Sequence, residues 1–392
     1  MQLEKRKVKS YFKNLSEKLP DTRDNRGKRH NLAYVMTGVL IAILHGRKKI
    51  SSIQRFLKNR QTDISKWTKY KPKKAVSDSQ LRRIIRGVDW QTYNSVNQIY
   101  FGKEITEITE DEWVAIDGKE LKGSIAVNAK DGKKAKRGEA VINAVKQNDS
   151  RVLAQTYYRG DKESEKIYVR ELLVQSNLAS KSVTMDALHC DPATTGIVNK
   201  SGGRYLVQVK ENQDKLMEIL KLAEKCLPCE YKDSQADKGH GRIELRKNYI
   251  YAIKGLTFAD RWKDSDISSL VVTRRKVIAI KTGIESEEVS YRISNQKVTK
   301  KDKQTMKSLA NAVRGHWAVE ADNYVRDVTF GEDGIKSSYG NSTRIWAAIR
   351  TVGINLIRKL KPKNIQARVE LWTDCPDRFF FSLKKWAFFS LT

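Results

Sequence analysis

Apolar positions along this chain change their spacing twice, and each change marks a different kind of structure. Between His30 and Leu44 the residues Leu32, Val35, Met36, Val39, Leu40 and Ile43 recur at three and four positions, which predicts a helix closed by Gly46. A second helix is predicted from Ser51 to about Asn59, and Lys66 to Lys74 reads as a lysine-rich loop holding Trp67, Tyr70 and Pro72. A third opens at Ser77 or Asp78, with Leu81, Ile84, Ile85 and Val88 on one face and Arg82, Arg83 and Arg86 on the other. From Glu112 short apolar runs take over. Strands are predicted at Trp113 to Ile116, Ala140 to Lys146, Val152 to Tyr158, Ser182 to Met185 and Tyr205 to Val209, with helices at Glu163 to Asn177 and Pro192 to Lys200.

Three strands, a helix, a strand, a helix and a strand is the element order of the ribonuclease H-like fold. In that order Asp117 ends the first strand and Asp186 the fourth, which are neighbours in the middle of such a sheet. An insertion runs from about Leu216 to Asp302, with strands predicted at Glu244 to Ile253, Ser269 to Ile280 and Glu288 to Ser294. Helical spacing then returns in Leu309, Val313, Trp317, Glu320 and Tyr324, and again in Ile345, Ala348, Ile349, Val352, Leu356 and Ile357. Trp372, Phe379, Phe380, Phe381, Trp386, Phe388 and Phe389 crowd the end of the chain and read as packing or as a dimer contact.

Two strand-end aspartates and a helix glutamate suit a site for divalent cations, because hard ions such as Mg2+ or Mn2+ prefer carboxylate oxygens and serve phosphoryl transfer. Taken singly, an Asp before Gly is a turn residue and a Glu on a helix is solvated. It is their convergence in one fold that carries the reading. Asp327 follows Glu320 by seven residues, so on a regular helix it shares a face and is a candidate outer acid. Within the insertion Arg242, Glu244 and Arg246 fall on one face of a strand, either to bind phosphate or to form a surface ladder.

Composition narrows the partner. The chain has 392 residues, 39% of them hydrophobic, and a formal charge of +30. That excess favours approach to a polyanion, and nucleic acid is the commonest. Residues 1–100 hold 24 Lys or Arg against 7 Asp or Glu, which marks the N-terminal region as DNA-facing. Arg82, Arg83 and Arg86 either dock on DNA or form a solvated helix face. There is no apolar run long enough to span a bilayer and no signal peptide, so an intracellular, soluble protein without a membrane partner is expected. Four scattered cysteines argue against a disulfide scaffold. Cys226 and Cys229 have the spacing of a zinc or redox pair, with His189 and His240 as conceivable ligands, but no second pair follows and ordinary thiols are favoured.

The motifs Asp117-Gly118-Lys119-Glu120-Leu121-Lys122-Gly123-Ser124, Thr184-Met185-Asp186-Ala187, Lys210-Glu211-Asn212-Gln213, His240-Gly241-Arg242-Ile243-Glu244-Leu245-Arg246 and Arg314-Gly315-His316-Trp317-Ala318-Val319-Glu320 resemble the series found in ISAs1-type transposases of the IS4-like group. The chain departs from that series after Asp186, in Leu188-His189-Cys190-Asp191, and after Glu320, where Ala321 stands. The resemblance implies an α/β fold with a ribonuclease H-like catalytic core and a β-rich insertion before the last catalytic helix, preceded by a small all-α basic N-terminal domain. The corresponding extents are 1–105 for the helical domain, 110–215 and 303–362 for the core, 216–302 for the insertion and 363–392 for the tail. It implies a DDE transposase using two Mg2+ or Mn2+ ions held by Asp117, Asp186 and Glu320. Double-stranded DNA would be met by Arg82, Arg83, Arg86, Lys119, Lys210, Arg242, Arg246, Arg314 and Trp317. A homodimer on paired element ends, in the bacterial cytoplasm and nucleoid, is expected. Two alternatives stay open: a domesticated DNA-binding protein without transposition, and a structure-specific nuclease.

Overall fold

Every residue from Leu32 to Leu44 is buried, as expected of a helix that is apolar on all sides. It is the axis of a helical N-terminal region in the computed structural model of the protein, which describes residues 11–101, 103–125, 137–159, 162–239, 241–337 and 341–384. The helices there are α1 (Tyr11–Lys18), α2 (Leu32–Leu44), α3 (Ile50–Asn59), α4 (Gln61–Thr68), α5 (Asp78–Gly87), α6 (Trp90–Phe101) and α7 (Lys103–Thr106). Helix α4 occupies the start of the segment read as a lysine-rich loop. The basic stretch of residues 1–10, His240, and the aromatic residues Trp386, Phe388 and Phe389 lie outside the described residues.

The rest is a mixed α/β structure around one nine-stranded sheet. Its strands are β1 (Trp113–Glu120), β2 (Glu139–Lys146), β3 (Val152–Arg159), β4 (Ser182–Met185), β5 (Arg204–Val209), β6 (Tyr231–Gly239), β7 (Arg242–Ala252), β8 (Ser269–Ala279) and β9 (Glu285–Ser294). Their order is β3-β2-β1-β4-β5-β9-β8-β7-β6. Strands β1, β4 and β5 run parallel, and every other neighbouring pair is antiparallel. The inserted strands therefore extend the central sheet through the β5–β9 pair and do not stand apart as a second sheet. The insertion opens as a helix, and its first strand, β6, is polar along almost its whole length, which hid it from the apolar pattern.

One face of the sheet is covered by α8 (Lys162–Gln175), α9 (Pro192–Lys200) and α10 (Asp214–Cys226), packed on Val114, Ile116, Val183 and Met185. The other face carries α11 (Lys303–Gly315) and α12 (Trp317–Tyr324), whose Val319 packs with Ala115, Val145 and Val152. Helix α13 (Ser342–Lys359) shares a single core with α2, α5 and α6 and also reaches β2, so the N-terminal helices are joined to the sheet through it. Helices α14 (Ile365–Asp374) and α15 (Pro376–Lys384) finish the described chain, with Trp372 and Phe379 buried edge to face at 5.1 Å and Phe381 exposed.

A buried ion network ties α12 to α13. The Arg326 guanidinium donates to Asp322 at 2.6 Å, Glu332 at 3.3 Å and the Thr351 hydroxyl at 2.9 Å, while Arg358 also donates to Asp322. Removing one member of such a cluster leaves a buried charge without its counterion. Arg326→Met is expected to lower stability by about 3 kcal/mol in urea denaturation, with Asp322→Asn in the same chain restoring part of the loss. A loss below about 0.5 kcal/mol would show that the network contributes nothing to holding α12.

Candidate active site

Strands β1 and β4 lie side by side with Ile116 level with Met185, and there their pairing stops, although β1 continues beside β2 as far as Glu120. The chain runs outward from β1 to β3 on one side and from β4 to β5 on the other. Strand order therefore reverses between β1 and β4, and in open α/β sheets such a reversal leaves a crevice beyond the strand ends. Side chains alternate along both strands. Val114, Ile116, Val183 and Met185 point to α8 to α10, and Trp113, Ala115 and Thr184 point to α11 and α12. Asp117 and Asp186 are the next residues, at the lip of the crevice, where Asp186 lines a cleft with residues of α8 and α10.

Their proximity is electrostatic as well as topological. The Asp117 carboxyl is pushed up to about 7, first by burial and then by the charges of Asp186 and Glu165, with the Gly118 N–H and His189 acting in the opposite sense. Asp186 accepts a hydrogen bond from the Leu188 N–H at 3.0 Å, which fixes its carboxylate at the start of a short turn. The sequence pattern did not single out Glu165. It sits in the acidic first turn of α8, buried, with the Tyr158 hydroxyl donating to its Oε2 at 2.6 Å. Nothing local distinguishes it from an ordinary helix-start acid. Only the tertiary packing of α8 brings it against Asp117.

Helix α12 reaches the same face. The His316 Nδ1 is 2.9 Å from the Thr184 hydroxyl, which also accepts from the Gln147 amide at 2.9 Å. Burial and Arg292 lower the His316 imidazole to about 4, so it is neutral and shares a hydrogen bond with the Thr184 hydroxyl. Glu320 lies one turn beyond His316 and is exposed. Its carboxyl is raised by partial burial, while Arg275 on β8 acts in the opposite sense. Neither aspartate is among these influences. The structure thus brings Asp117 and Asp186 together and turns Glu320 toward an arginine. Among the described residues no group of three His, Cys, Asp or Glu side chains is arranged to hold a metal ion. The aspartate pair on its own suits a divalent cation: it offers oxygen donors only, and its mutual repulsion is of the kind such an ion relieves.

The remaining candidates divide sharply. Lys119 is 9% exposed and faces inward, with Asp327 at 2.8 Å, Glu332 at 3.2 Å and Asp333 at 3.6 Å. It is a structural clamp and corrects the expectation of a DNA contact. Asp327 belongs to this clamp because the chain after α12 widens into a π-helical turn, Val325–Thr329, which breaks the seven-residue alignment with Glu320. Glu244 is buried among Arg242 at 3.6 Å, Arg246 in close contact and Arg275 at 2.9 Å. Arg246 and Arg292 are both lowered to about 10, by burial and by neighbouring arginines including Arg314 beside Arg246. The inserted strands thus combine a carboxylate-centred ladder with a surplus of positive charge. Arg314 pairs with Asp237 at 2.9 Å, and Trp317 is 46% exposed. Lys210 and Asp186 line the same cleft of about 830 Å³, between α10 and β9. In α5, Arg82 pairs with Asp78 at 2.7 Å, and Arg82, Arg83 and Arg86 are all exposed. The Cys229 thiol donates to the Tyr231 carbonyl at 3.1 Å, and the four cysteines are free. No helix among the described residues is long and apolar enough to cross a membrane.

Comparison with known proteins adds a second line of support. Residues 14–99, from within α1 to α6, match the family described as DDE_Tnp_1-associated. The chain is 26% identical over 348 residues to "Putative protein YbfL" of Escherichia coli strain K12, covering 86% of this chain and 88% of that protein. It is 26% identical over 353 residues to "Putative transposase YncI" of Escherichia coli O157:H7, covering 88% and 86%. It is likewise 26% identical over 347 residues to "H repeat-associated putative transposase YhhI" of strain K12, covering 86% and 88%. Residues 14–99 are thus similar to a family described as DDE_Tnp_1-associated, and most of the chain is similar to proteins two of which are named putative transposases.

A carboxyl that keeps its proton to about pH 7 when folded, but releases it near pH 4 when unfolded, makes the folded state bind more protons in between. Stability therefore falls as the pH rises through that window. Asp117→Asn is expected to stabilise the cation-free protein at pH 8 by on the order of 2 kcal/mol and to change little near pH 4. Thermal denaturation in chelator at the two pH values checks this. An equal effect at both would show that the carboxyl has no raised pKa.

Proposed function

We propose that the protein is an insertion-sequence transposase of the ISAs1 type in the IS4-like group, with a ribonuclease H-like core, which binds element ends and performs metal-dependent DNA cleavage and 3′-hydroxyl strand transfer. One observation carries this reading: Asp117 and Asp186 follow directly on the last paired residues of two parallel strands, side by side at the reversal of strand order. The relatives named as transposases support it. So does the arginine-rich wall of the inserted sheet, whose Arg275 acts on Glu320 and which suits a phosphate backbone.

Two Mg2+ or Mn2+ ions, when bound, supply Lewis acidity and a more readily ionised water or 3′-hydroxyl for in-line displacement at phosphorus. Asp117 and Asp186 would hold them with carboxylate oxygens, and Glu320 would provide the third carboxylate from α12. Arg242, Arg246, Arg275 and Arg314 align the DNA backbone beside the site, with Lys210 and Trp317 at its edges. Arg82, Arg83 and Arg86 dock α5 on the element end, sequence-independently through phosphates. No side-chain nucleophile is needed: His316 is neutral and engaged with Thr184. The paired ends call for a homodimer on double-stranded DNA, acting in the bacterial cytoplasm and nucleoid.

Purified protein, a labelled element end and Mg2+ or Mn2+ test the reading. Nicked and joined products are expected. Asp117→Ala and Glu320→Ala should each reduce both by about a hundredfold or more while leaving gel-shift affinity within about threefold. Cleavage that survives in both variants would place the chemistry elsewhere. Binding without cleavage in the unaltered protein would favour a domesticated binder, and cleavage without joining a nuclease.

A further inference from the structure

Glu165 has no part in the triad, yet it lies against the aspartate pair from the far side of the sheet. Helix α8 packs on the face opposite α12 and brings the Glu165 carboxylate up to the backbone just past Asp117. A Cβ added at Gly118 would lie 2.3 Å from Glu165 Oε1, so the glycine following Asp117 leaves the gap into which this oxygen fits. The residue is only 9% exposed.

His189 supplies an independent observation. Its ring is fully buried, and neither nitrogen has a hydrogen-bond partner. Its Nε2 faces Glu165 Oε1 at 3.5 Å and Asp186 Oδ1 at 3.8 Å. A buried imidazole without hydrogen bonds is costly unless the space it faces is filled. That space is bounded by Asp117, Asp186 and Glu165.

Resting on the metal-dependent reading above, we infer that Glu165 is a further carboxylate ligand of the divalent cation at Asp117 and Asp186, entering through the gap at Gly118. His189 is then a positioning residue, steering Glu165 and Asp186 toward the same ion. Repulsion between like charges keeps the cation-free carboxylates from closing, which accounts for the lack of a complete three-ligand group among the described residues. The Tyr158 hydroxyl holds Oε2, and Oε1 is the oxygen that faces Gly118 and His189.

Calorimetric titration of the full chain with Mn2+, without DNA, tests this by binding alone. Glu165→Gln is expected to weaken the tighter Mn2+ site by about tenfold or more, comparable with Asp117→Asn. If Glu165→Gln loses its cooperative melting transition, Glu165→Asp serves instead, since it keeps the charge but withdraws the oxygen by one methylene, and the same weakening is expected. Unchanged Mn2+ affinity in whichever Glu165 variant folds would overturn the proposal. If Asp117→Asn also left Mn2+ binding unchanged, the metal-dependent reading itself would fail.

Discussion

The parallel pairing of β1 with β4 forces two like-charged carboxylates to share one lip of the sheet, and much of the surrounding structure serves to hold that arrangement. Four apolar side chains, Val114, Ile116, Val183 and Met185, fix the register from below. Burial and mutual repulsion raise the Asp117 carboxyl well above its ordinary range. A fold optimised for stability alone would replace the pair with neutral residues. That it keeps them, with a third buried carboxylate beside them, is the ground on which a cation is proposed there.

The opposite wall is held by charge of the other sign. Helix α12 bears Glu320 and packs through a single buried Val319, so its position depends on its ends. At its start His316 bonds to Thr184 on β4. At its finish Asp322 is locked by Arg326 and Arg358, and Arg326 continues through Glu332 to Lys119 on β1. Both anchors return to the two strands that carry the aspartates or to α13, which also fastens the N-terminal helices. A chain that is strongly basic overall thus spends buried acids on placing one helix.

Much of this was legible in the sequence. The apolar run before Asp186 located the end of β4, and the run before Asp117 located the start of β1 and the point where its pairing with β4 stops, although β1 itself continues to Glu120. The all-apolar stripe of α2 was equally plain. The polar alternation of β6 was not, since its strand character comes from the neighbouring β7 backbone and from no side chain of its own. Lys119 and Asp327 look like solvent-facing charges until the π-helical turn after α12 swings one onto the other. Glu165 carried no local signal: its meaning comes from Gly118, 47 residues earlier, and from the packing of α8.

The most direct measurement is the anomalous scattering of Mn2+ in crystals of the protein bound to an element end. The expected result is manganese density in contact with the carboxylates of both Asp117 and Asp186, next to the scissile phosphate. Manganese bound elsewhere, with the aspartate pair bare and the phosphate distant from it, would contradict the assignment of this site.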